Sequence, residues 1–586
     1  MGKKASRKRK SPAKKAAGNS SSASVPHNDP TPEERKAYEA RLQRRLLLLR
    51  KRFEEGTIRI PNDPQLTKSL MAMRYAPDGS VDLNTVDGIV RSMALAVEGL
   101  HEREEAKKVM PLAEIQSTYF SCLEKNFGHL HREMVTRRAN PHLIAKTLSK
   151  DAAHVEAVTK SIPGFVDVIE QFWTQTAEAA YAHVEDMQKT LKGVFGGDLF
   201  PSYTQNIASK CGIYTDTIIL PDPFIRSKDL FAKWNPSDRT YYLLKHGLSL
   251  LDYKELACAD VSPPIVVVLP DMGHIKKSEL DFVIELARKD ALVHAGKVFG
   301  RSFASMDELM EFARPLDSVE KVIAALSDES RVLFNVEWPG STAERIARAV
   351  KDETTGLFKI SNPGIMVALE GLGRMISSNE LIIKSQRLEG TPIIDAPTSW
   401  RFFAWKLEYD AQKVEQETKL KNLHVVRGLE SLATSEMEWL GRVPPKALIE
   451  IRKTQAIDEI RNILGNGIEV VAKTNPTNFY RTTDRVFDNI QQAFDEHRKK
   501  IRELSDKKWK FAGTGIGSWV VAGTLEVAAA VTGHPTCGVA AYLASEILDA
   551  PKLREIPKTV KELARQSKEL HRSPVGLLFN CSDKKS

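Results

Sequence analysis

The chain has 586 residues, 42% of them hydrophobic and 27% charged, which is too long for one core and predicts roughly three to four domains. Five scattered cysteines (Cys122, Cys211, Cys258, Cys537 and Cys581) include no CxxC pair, which argues against a disulfide framework or a structural zinc site and for a reducing, intracellular, cytoplasmic setting. The net charge of +9 belongs mostly to residues 1–20, whose eight Lys and Arg stand without an acid and leave 77 basic against 76 acidic residues in the remainder.

Residues 1–30 are rich in Lys, Ser, Ala and Pro, hold almost no large apolar side chain and contain no apolar stretch of the secretory type. Such a segment does not repay its ordering entropy and is expected to be a disordered basic tail. Its chemistry suits a weak polyanion or nucleic-acid contact, or a membrane-surface contact, and Met1 to Ser6 also fit the short N-myristoylation pattern.

Thr31, Pro32 and Glu34 combine a capping hydroxyl, a first-turn proline and a capping-box glutamate, and predict a helix to about Glu55 with Leu42, Leu46, Leu49 and Phe53 on one stripe. After the Asp78-Gly79 turn a long helical region starts near Asn84 and runs, with a break at Pro111, to about Arg138. Further helices are expected at 141–161 and 163–191, so 31–199 reads as an all-helical domain.

After Phe200 the pattern changes. Ile213 to Leu220 and Pro264 to Leu269 are apolar, β-branched runs that each end in Leu-Pro-Asp, with an amphipathic segment from Asp238 to Cys258 between them. This predicts two parallel buried strands joined by a crossover helix. Val332 to Val336 and Pro392 to Ile394 are expected to add strands, with helices at 277–298, 342–351 and 363–376, giving a small α/β domain over 200–396. Helical signal then returns: 400–440, 444–464 and 478–510 form an expected long-helix bundle over 397–510.

Phe511 to Leu548 carries only Glu526 and Glu546 as charges and is split by His534-Pro535. Gly513 and Gly517 have the spacing that lets two helices approach closely. The stretch reads as an apolar helical hairpin, buried or conditionally membrane-active. Glu526 near the middle of the first arm and the shortness of the second arm both weigh against a constitutive membrane span. A charged helix follows, making 511–586 the last segment. The fold class expected is therefore mostly α, α+β overall: a multidomain helical protein with a small central α/β domain and a C-terminal apolar hairpin.

No GxxxxGK[ST] loop, HExxH helix, GxSxG elbow or kinase motif set is present. His129, His131 and Glu133 resemble a metal cluster on paper. On a continuous helix, however, residues two apart point about 200° from one another, so the two imidazoles would need a break at Gly128 to share an ion. Asp222, Asp271 and Asp395 each follow an apolar strand-like run, where open parallel sheets collect ligands, and Asp222 with Asp271 are the candidate Mg²⁺ ligands. Asp beside Pro is also ordinary turn chemistry. The leading expectation is a non-enzymatic interaction or regulatory protein with a protein partner and no cofactor. The alternative is a metal-dependent hydrolase or nuclease using these carboxylates.

One consequence of the charge distribution is directly measurable. Deleting residues 1–20 is expected to abolish most salt-sensitive binding to heparin or DNA, because the remainder carries about one net charge; equal retention of the truncated chain on a heparin column would show a basic patch on the folded body instead.

Overall fold

The computed structural model describes residues 31–59, 63–197, 206–351, 360–410, 422–427, 429, 443–468 and 479–512, with a few isolated positions after 564. The basic tail and the hairpin positions Gly513, Gly517, Glu526, His534 and Pro535 lie outside the described residues. Among those described, no helix is long and apolar enough to cross a membrane. The protein is mostly helical, with one small parallel sheet.

Its chain divides into two compact units between Glu105 and Ala106. The first contains α1 (Pro32–Glu54), α2 (Pro64–Met71) and most of α3 (Gly88–Lys107). The expected capping box is present: Glu34 N–H donates to Thr31 Oγ1 at 3.3 Å and Thr31 N–H to Glu34 Oε2 at 2.8 Å. Leu42, Leu46 and Leu49 of α1 pack with Val81, Val86, Val90, Ala94 and Val97 in a small separate core.

The second unit runs through α4 (Leu112–Thr136), α5 (Pro141–Leu148), α6 (Ala152–Glu185), β1 (Lys192–Phe195), α7 (Ile207–Cys211), β2 (Thr217–Pro221), α8 (Pro223–Lys233), α9 (Pro236–Leu251), α10 (Lys254–Ala257) and β3 (Val266–Leu269). It continues through α11 (Lys277–Phe299), α12 (Met306–Ala313), α13 (Val319–Ala325), α14 (Thr342–Lys351), α15 (Pro363–Arg387), β4 (Gly390–Ile393) and α16 (Pro397–Asp410), then α17 (Pro445–Lys453), α18 (Ile457–Gly465) and α19 (Phe479–Ala512).

The strands lie in the order β3-β2-β1-β4, all parallel. The expected β-α-β unit is therefore present as β2 and β3, with α8, α9 and α10 between them. Two strand assignments differ from expectation. Residues 192–195, expected to follow directly on the end of a helix, form the inner strand β1. Lys192 is fully buried there, its Nζ donating to Val184 O at 3.0 Å, and Gly193 leaves room for β4, since a Cβ would sit 2.5 Å from Ile393 Cδ1. Val332 to Val336 is not a strand: Val332, Leu333 and Phe334 are buried, but Arg374 of α15 donates to Phe334 O at 3.1 Å in place of a ladder partner.

Helix boundaries moved for local reasons. Asp151 accepts from Ala153 N–H at 2.9 Å and starts α6, which then continues through Pro163 because Ile162, Phe165, Val166 and Ile169 are held in the core. The anticipated division at 199/200 and 396/397 does not separate cores either. One apolar cluster takes residues from Leu112 of α4 to Phe494 of α19 and surrounds the sheet, while a second, around Phe299, Phe303 and Ile346, joins α11 to α15.

His246 and His294 are among the histidines sealed into this interior. Burial pushes the His246 imidazole down to about 3. His294, beside Phe402 and Trp405 and hydrogen-bonded to Tyr409 Oη at 3.0 Å, is pushed down to about 4 by burial and by Arg331. Both folded values lie below the ordinary 6.5, so the stability they contribute is complete above that pH and is lost as pH falls from there toward 4, the unfolded chain binding the protons that the native state refuses. Stability should fall by up to roughly 2.7 kcal/mol per pH unit from these two groups together, and His294→Gln should flatten the fall. Urea titrations at pH 7.0, 6.0 and 5.0 measure this; parallel curves for the wild type and the variant would contradict it.

Candidate functional site

The three strand-end aspartates are placed at the carboxyl edge of the sheet, and each is met by different neighbours. Asp222 caps α8. Its Oδ1 accepts from Phe224 N–H at 2.7 Å and Ile225 N–H at 3.0 Å, and its Oδ2 accepts from Trp173 Nε1 at 2.6 Å. The side chain is fully buried, and burial pushes its carboxyl up against the pull of those donors.

Asp271 follows β3 and sits in an ion cluster. Arg226 of α8 donates through Nε to Asp271 Oδ2 at 2.9 Å, with Nη2 at 2.7 Å, and Lys384 of α15 donates to Oδ1 at 2.9 Å. Arg226 Nη2 also reaches Glu380 Oε2 at 2.8 Å, and His274 Nε2 lies 4.0 Å from Glu380 Oε1. Burial alone would push Asp271 up, but Arg226 and Lys384 overcome it and hold its carboxyl well below the usual carboxylate range. Burial, aided by the Asp271 charge, pushes Glu380 up. Two cations against two carboxylates leave the cluster neutral, the condition under which buried charges are tolerated.

Asp395 follows β4, which lies at the opposite edge of the sheet from β3. Three strand spacings of about 4.8 Å put these two ends roughly 14 Å apart. Asp395 is near Tyr253, whose hydroxyl is pushed up first by burial and then by this carboxylate.

The arrangement therefore brings Asp271 together with Arg226, Lys384, Glu380 and His274, while Asp222, at the end of the neighbouring strand, gives its oxygens to other donors and Asp395 lies across the sheet. Asp222 and Asp271 share no hydrogen-bond partner, and their oxygens are spent on protein donors. Among the described residues no group of three His, Cys, Asp or Glu is placed to hold a metal ion. His129 and His131 lie on one unbroken α4, so Gly128 supplies no break, and His131 Nε2 pairs with Asp252 Oδ1 at 2.8 Å. Chemically, the edge is a charge lock joining β3, α8 and α15. Sequence reading missed Arg226, Glu380 and Lys384, although a local sign existed: Arg226 falls one turn after Asp222, and Glu380 and Lys384 stand one turn apart on α15.

Comparison with family models, curated proteins and solved structures finds no match for this chain.

Removing Asp271 takes away the one carboxylate that meets both cations and leaves Arg226 and Lys384 against Glu380 alone, so Asp271→Ala should cost about 3–5 kcal/mol, whereas Glu380→Gln, which keeps an acceptor for Arg226 and leaves Asp271 between both cations, should cost clearly less. Urea midpoints of the two variants decide it, and comparable losses would show that Asp271 does not anchor the cluster.

Proposed function

We propose that this chain is a non-enzymatic interaction protein whose first unit carries the contact with a protein partner. The observation that supports this is where large apolar side chains meet solvent. Among the described residues half of them (Tyr38, Leu47, Met71, Tyr75, Ile89, Leu95 and Leu100) belong to the first unit, with Met71 82% exposed, and the other half are spread over the whole of the much longer second unit. Apolar exposure concentrated on a small module is a feature of contact surfaces. The carboxylates that would serve hydrolytic chemistry are engaged by protein donors, which favours binding over catalysis for the same chain.

Met71 and Leu95 are exposed, so replacing both by serine should leave the fold intact and weaken partner contact. Quantitative crosslinking of the full-length protein in its native cells should lose its strongest crosslinked partner in Met71→Ser/Leu95→Ser and keep it in Phe282→Ser, a control at an exposed position of α11. An unchanged partner set in the double variant would sink this assignment.

A further inference from the structure

Helix α18 packs against α19, and each sends an apolar row into the main core: Ile460 and Leu464 from the first, Val486, Ile490 and Phe494 from the second. Beside this contact the two helices leave a groove of about 480 Å³. Its lining takes Ile463 from α18 and Ala493 from α19, both half-buried and neither part of that core, together with the buried His497. A volume of this size falls in the range of sites that enclose a ligand.

The amide side chains of Asn462, Asn466 and Gln492 line the same groove. Gln492 donates to Glu496 Oε1 at 3.1 Å, whereas the Asn462 and Asn466 side chains have no hydrogen bond among the described residues. Each such amide offers a carbonyl and an NH₂ group, the complement of the N–H and C=O groups along a peptide backbone.

One further residue lines the groove, and it comes from far along the chain: Ser573. The residues after it read Pro574-Val575-Gly576-Leu577-Leu578-Phe579-Asn580 and lie outside the described residues. Proline at 574 disfavours a helical Ser573 and directs the chain into an extended course. Alternate side chains of an extended chain share a face, so Val575, Leu577 and Phe579 make one apolar row. The reach matches as well. Four steps of about 3.3 Å carry the row over about 13 Å, while the groove lining rises about 10 Å along α18 from Glu459 to Asn466 and about 16 Å along α19 from Asn489 to Lys500.

We infer that residues 575–579 lie along the α18–α19 groove as an extended strap, with Val575, Leu577 and Phe579 against Ile463, Ala493 and His497, and with Asn462 and Asn466 meeting the strap backbone. The groove is thus a site for an extended apolar segment, and the chain itself supplies the occupant. Because Ser573 already stands at the groove, docking is intramolecular, with an effective concentration on the order of 1 mM that an outside peptide must exceed. The site is independent of the partner contact assigned to the first unit.

The test uses the full chain with the photocrosslinker p-benzoylphenylalanine in place of Phe579, read by mass spectrometry after irradiation. Crosslinks should fall within 459–466 and 489–500, and Ala493→Glu, which sets a charge on the groove floor, should lower their yield about tenfold. In a second variant, Leu577→Ser/Phe579→Ser, hydrogen exchange of the α19 amides at 489–497 should speed up about tenfold. A synthetic peptide of residues 573–580 should restore that protection saturably, and at the same concentration should leave the wild type unchanged. Crosslinks that map elsewhere or to a second copy of the chain, or an undiminished yield in Ala493→Glu, would overturn the strap. Unchanged exchange in the double serine variant, or no recovery with the peptide, would overturn it equally.

Discussion

The second unit depends on the ion cluster in which Asp271 is held between Arg226 and Lys384. These side chains come from the end of β3, the first crossover helix and the long helix that leads into β4, elements far apart in sequence. Each charge is nearly removed from water, so each needs the others; the cluster fixes the position of α8 and α15 over the carboxyl edge more specifically than apolar packing alone. Arg226 extends the lock to Glu380 on α15.

The two edges of the sheet differ in how their charges are balanced. At the carboxyl edge, where parallel sheets usually collect ligands, cations and carboxylates cancel inside the protein. At the amino edge Arg461 is shared between Asp216 and Asp458, and Arg452 is buried with its Nη2 on backbone carbonyls. Position at a strand end therefore carries less weight in this protein than whether the charged groups there are already spent. The first unit contributes a third kind of surface, small, helical and rich in exposed apolar side chains.

Much of the architecture was legible from local signals. Thr31 and Glu34 marked the start of α1, and the β-branched runs before Pro221-Asp222 and Pro270-Asp271 marked β2 and β3, because capping and strand formation depend on neighbours within a few residues. Strand β1 was not legible. Its Lys-Gly-Val-Phe sequence has no alternation or β-branched run, and it is a strand because Val184 O receives the buried Lys192 and Gly193 admits β4. Conversely, Val332 to Phe334 has strand-like residues but finds a helix-borne arginine where a ladder partner would be needed. The candidate aspartates were found at the correct edge of the sheet, yet their roles depended on Trp173, Arg226 and Lys384, which lie 45 to 154 positions away from the groups they bind or share.

By itself the sequence determined the mostly helical class, the presence of a parallel β-α-β unit, and the confinement of surplus positive charge to the first twenty residues, all consequences of composition and short-range pattern. Only the tertiary structure decided that residues as far apart as Leu112 and Phe494 share one core, that Asp271 is held between two cations, and that exposed apolar side chains concentrate before residue 106. The physical reason is common to all three: burial and charge compensation are properties of what surrounds a side chain, and for these residues the surroundings are assembled from segments that are distant along the chain.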